Sequence, residues 1–163
     1  MSSLWSLMDA YFVTQVNALD GSNALFTGVT AVVGEEFDPN HVVAPFVLIR
    51  SYDTEDGETE SPVGSGVWNL DGMQYPYEIV YYGEENAVDA AREKAKDALM
   101  VLRNMILADP CLGSITAAED GETVTMVMFN KREVFVRGLA GQDRETSTYV
   151  CQGSFSFTVF SKV

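Results

Sequence analysis

The densest run of chemically capable side chains is Asp53-Thr54-Glu55-Asp56-Gly57-Glu58-Thr59-Glu60. Carboxylate oxygens crowded around a glycine are the donor set a hard cation such as calcium takes. The register does not fit a calcium loop. With Gly57 as the sharp-turn residue, the preceding ligand positions fall on Tyr52, Thr54 and Asp56, and the closing acid position falls on Val63. The run therefore reads as a solvated, self-repelling loop.

Other reactive groups are sparse. His41 is the only histidine and stands in DPNHVV with no nucleophile beside it, so it reads as a turn residue rather than a base. Cys111 and Cys151 have apolar or strand-like neighbours and read as buried free thiols rather than a disulfide. Two cysteines and one histidine cannot make a four-ligand zinc site. There is no Gly-Lys pair to cradle a phosphate and no Gly-x-Ser-x-Gly elbow to present a serine. Tyr75, Tyr77, Tyr81 and Tyr82 could stack sugars or bases, but tyrosines alternating along a strand more often serve packing. The expectation is a protein that is not an enzyme, with no metal and no cofactor.

Charge narrows the partners. Ten basic residues against 24 acidic ones give −14, which repels phosphate backbones and anionic lipid headgroups. A conventional DNA-binding module is disfavoured. No run of about 18 apolar residues is present, and MSSLWSLMDAYF lacks a basic region ahead of a hydrophobic one, so neither a membrane span nor a signal peptide is expected. The chain reads as cytosolic when made.

The elements that would position these residues are better marked. From Asn86 to Ala108, Val88, Ala91, Ala95, Leu99, Leu102 and Ile106 recur at three- and four-residue steps, the stripe of an amphipathic helix. Asn86 is placed to cap it with Asp89 as the capping-box acid, and Asp109-Pro110 stops it. At 1.5 Å per residue this helix is about 34 Å long, enough to cover one face of a sheet. An earlier helix runs from a Ser2 or Ser3 cap to about Leu19, with Leu4, Leu7, Met8, Tyr11, Phe12, Gln15 and Leu19 at helical spacing.

Strands are expected at Val29 to Val33, at Ala44 to Tyr52 and at Tyr75 to Tyr82. Pro76 suggests that the third is an edge strand or has just begun. After Pro110, SITAAED, ETVTMVMF and EVFVRG read as an antiparallel meander. In the last strand Tyr149, Cys151, Phe155, Phe157 and Val159 alternate with Gln152, Ser154, Ser156 and Thr158, so its dry face should pack on the long helix. The fold class is α+β: a largely antiparallel sheet with an N-terminal helix and one long central helix packed on it. Hydrophobic residues at 47% in 163 fit one domain over 1–163, with an acidic loop or hairpin arm at about 53–72.

The order WSLMDAYFVTQVNAL, APFVLIRSYDTE, YPYEIVYYGE, DAAREKAKDALMVLRNMI, VFVR and SFSFTVF resembles the tail terminator, or tail completion, proteins of long-tailed bacteriophages. The resemblance spans most of the chain and is one of pattern, without a signature that fixes individual functional residues. It implies an α+β subunit of a hexameric ring that caps the tail tube, stops its polymerisation and joins the tail to the neck. The partners it implies are further copies of the chain, the tube protein and a neck or head-completion protein. Genomic DNA would pass through without specific binding, and the site of action would be the head-proximal end of the tail in the virion. Glu55, Asp56, Glu58 and Glu60 are then expected to face the lumen or its rim, where negative charge keeps DNA from adhering to the wall. The other readings are a tail tube or neck subunit, and a monomeric small-ligand-binding module built on the tyrosine strand and the long loop.

Overall fold

A computed structural model describes residues 4–34, 45–51, 74–116, 123–129, 135–142 and 149–162. In chain order these form α1 (Leu4–Asn17), β1 (Thr30–Val33), β2 (Phe46–Ser51), β3 (Gln74–Glu85), α2 (Val88–Ala108), β4 (Thr123–Phe129), β5 (Phe135–Gln142) and β6 (Tyr149–Lys162). Short 3-10 turns lie at Ala24–Phe26 and Leu112–Ser114. The expected succession of helix, three strands, long helix and further strands is present, and the class is α+β.

The strands make one sheet in the order β1-β2-β3-β6-β4, with β5 also paired to β6. Among the described strands only β1 and β2 are parallel; β2 with β3, β3 with β6, and β6 with β4 and β5 are antiparallel. The expected meander of β4 and β5 is corrected by this pairing. β6 is 14 residues long, and along its edge away from β3 it takes β5 at Tyr149–Ser154 and β4 at Phe157–Lys162. Two strands of 7 and 8 residues thus share the edge of one long strand. At the start of the segment expected as SITAAED, Leu112–Ser114 is a 3-10 turn, and 117–122 lie outside the described residues.

Pro76 sits in a central strand, against the usual confinement of proline to edges. Its position resolves the conflict. Pro76 is the third residue of β3, so it falls at a strand beginning, and the described β2 ladder starts one residue later at Tyr77.

The sheet has two unlike faces. Val47, Ile49, Tyr75, Tyr77, Ile79, Tyr81, Phe155, Phe157 and Val159 point to one side and join Leu4, Met8, Phe12 and Val16 of α1 and Ala91, Ala95, Ala98, Leu99, Leu102 and Ile106 of α2 in the main core. Both helices therefore lie on that side. Of the stripe read from the sequence of α2, Ala91, Ala95, Leu99, Leu102 and Ile106 are buried, with Ala98 added, and Phe155, Phe157 and Val159 of the expected dry face of β6 share that core. The side chains of Val88, Tyr149 and Cys151 lie outside the description. On the other side Phe46, Leu48, Val80 and Tyr82 form a second, smaller cluster. Phe46 stacks on its cross-strand partner Tyr82 with ring centroids 4.5 Å apart. β2 is apolar at consecutive positions because both of its faces are buried.

α2 comes close to the sheet at Gly153. A Cβ built there would stand 2.5 Å from Leu99 Cδ1 and 3.6 Å from Ala95 Cβ, so any larger residue would require Leu99 or the helix above it to shift. The alanines of α2 serve the same approach, since Ala91, Ala95 and Ala98 are completely buried.

Two local expectations are corrected. The residue capping α2 is Ala87, with no side-chain cap bond, rather than Asn86. Ala87 is the extended residue whose carbonyl accepts the first helical bond, from Ala91 N–H at 3.0 Å, so Asn86 lies one position too early to cap. Cys111 is exposed rather than buried, because the chain has already turned off α2 at Asp109-Pro110.

Candidate functional site

Two tyrosine–aspartate hydrogen bonds fasten α1 to the rest of the fold. Tyr77 Oη donates to Asp9 Oδ1 at 2.8 Å, joining β3 to α1, and Tyr11 Oη donates to Asp109 Oδ2 at 2.7 Å, joining α1 to the end of α2. Around them Trp5 packs edge-on against Tyr75 with centroids 4.6 Å apart, and Phe12 meets both Tyr77 and Phe157 edge-on. Tyr77 and Phe157, opposite each other on β3 and β6, are stacked at 5.7 Å. These aromatic contacts each exceed simple area burial by about 0.5–1.5 kcal/mol.

The electrostatics follow from burial. Desolvation raises the Asp9 carboxyl above its ordinary value, and the hydrogen bond from Tyr77 partly opposes that shift. Burial also raises the Tyr77 hydroxyl, with the negative charge of Asp9 adding to the effect. Tyr11 is raised first by burial and then by Asp109. Tyr81 is pushed up to about 12 by burial and then by Glu85. Burial raises Tyr82 as well, with Arg50 acting against it. All of these phenols are neutral at physiological pH, so they supply neither a base nor a phenolate nucleophile.

The tyrosine strand is accordingly packing. Tyr75, Tyr77 and Tyr81 lie in the main core and Tyr82 in the smaller cluster, none more than 7% exposed. On the reverse face, Arg50 pairs with its cross-strand neighbour Glu78 at 3.4 Å. The Tyr81 hydroxyl is buried and makes no hydrogen bond among the described residues.

Glu55, Asp56, Glu58 and Glu60, the residues expected at a lumen or rim, lie outside the described residues, and so does His41. Among the described residues there is no group of three or more His, Cys, Asp or Glu side chains placed to hold a metal ion. No helix among them is long and apolar enough to cross a membrane.

What the described surface offers is contact area. Met100 and Leu107 of α2 are 45% and 43% exposed, and Val33 at the end of edge strand β1 is 44% exposed. Met100 and Leu107 are seven residues apart and lie on the side of the helix away from Ala95, Leu99 and Leu102, where an amphipathic helix ordinarily carries polar residues. The helical spacing alone could have found this ridge. Neither tyrosine–aspartate pair had any such signal, because their partners are 68 and 98 residues apart in sequence.

The chain matches no protein-family model and no curated protein.

Proposed function

We propose that this chain is a structural protein of a long-tailed bacteriophage, a tail terminator whose copies close into a hexameric ring on the end of the tail tube. In that role it stops tube polymerisation and joins the tail to the neck, and its work is contact rather than chemistry. The observation that carries the reading is the arrangement of elements: an N-terminal helix, three strands, a long helix and three more strands, gathered into one sheet with both helices on the same face. The resemblance implies an α+β subunit, and this order of elements is compatible with one. The exposed apolar side chains on α2 and at the sheet edge suit a subunit that meets neighbours. The charge of −14 suits the wall of a conduit to which DNA must not adhere.

The test is the native mass of the purified chain in moderate salt, followed by electron microscopy with tail tubes. A discrete hexamer that sits on tube ends and halts their growth is the expected result. Long tubes formed by the chain alone would replace the reading with that of a tube subunit. A monomer that tubes do not recruit would overturn it in favour of a binding module, for which a saturable small-molecule shift in melting temperature is the corresponding assay.

A further inference from the structure

We draw no further inference here: the strongest candidate, the outward ridge of α2 on which Met100 and Leu107 stand exposed, carries none because nothing in the structure shows what covers it.

Discussion

Replacing Gly153 with alanine tests how α2 is seated on the sheet. The new Cβ would stand 2.5 Å from Leu99 Cδ1 and 3.2 Å from Leu99 Cγ, where carbon atoms settle at about 3.5–4.0 Å. Roughly 1 Å of movement is therefore required of a side chain that is completely buried, or of the helix that carries it. Overpacking of this kind costs about 1–3 kcal/mol. Replacing a strand glycine recovers about 0.5–1 kcal/mol of backbone entropy, which leaves a net loss of about 0–2.5 kcal/mol. For a chain of this size that is a fall in Tm of up to about 10 °C, readable by thermal or urea unfolding followed by circular dichroism.

Leu99→Ala alone should cost about 2–5 kcal/mol, because it opens a cavity under the helix. In the double variant the methyl group introduced by Gly153→Ala projects into that vacated space, so the combined loss should fall short of the sum by about 1 kcal/mol or more. A Gly153→Ala variant more stable than the parent by about 0.5–1 kcal/mol, the full backbone-entropy gain, would refute the close approach. So would losses that add within about 0.5 kcal/mol, since independent sites behave that way.

Three further outcomes follow from the tyrosines and Asp9. Tyr77→Phe removes the donor to Asp9 and should cost about 1–2 kcal/mol at neutral pH, below the full value of a charged hydrogen bond because Asp9 is partly exposed to solvent; the loss should shrink once acid neutralises the carboxyl. Because the folded Asp9 pKa lies above its ordinary 3.8, its stabilising contribution is complete below 3.8 and is lost as pH rises through the folded value. Asp9→Asn should therefore gain stability relative to the parent across that interval, as measured by urea midpoints at stepped pH. Tyr81→Phe deletes a buried hydroxyl without a described partner and should be neutral or stabilising by up to about 1 kcal/mol at pH 7. In the parent, the Tyr81 contribution is complete below pH 10 and is lost as pH rises through about 12; over that range the variant's stability curve should be shallower by up to about 1.4 kcal/mol per pH unit.

The parts legible in the sequence are those governed by local periodicity. The spacing of Ala91, Ala95, Leu99, Leu102 and Ile106 identifies the buried face of α2, because a helix presents the same face every three to four residues whatever it packs on. The alternation Phe155, Phe157, Val159 does the same for β6. Pairing is a different matter. β4 and β5 are short and consecutive, which suggests a hairpin, yet both align on β6, whose length could be read while its power to hold two neighbours along one edge could not. The second cluster was hidden for a related reason: Phe46, Leu48, Val80 and Tyr82 alternate with core residues, so burial of the reverse face is evident only when β2 and β3 are set side by side. The cap of α2 failed by one residue, because Asn86 has the chemistry of a cap and Ala87 has the backbone position. As for the candidate site, the acidic run was conspicuous by composition, but composition carries no information on where its carboxylates face, and Glu55, Asp56, Glu58 and Glu60 lie outside the described residues.

The same composition does set the sign of an experiment on assembly. Each copy carries −14, so bringing copies together works against their mutual repulsion, and any closed ring must be held by apolar and backbone contacts that outweigh it. Salt shortens the reach of that repulsion from about 30 Å at 0.01 M to about 8 Å at 0.15 M. The proposed ring of like-charged subunits should consequently be favoured as salt rises, and native mass should then shift from smaller species toward the proposed hexamer over that range. An assembly held by attraction between opposite charges, or a complex with a polyanion, has the reverse dependence, because salt then weakens the contact that holds it. Dissociation of the hexamer on raising salt from 0.01 M to about 0.15 M would therefore refute cohesion by apolar and backbone contacts while leaving the ring itself intact as an observation.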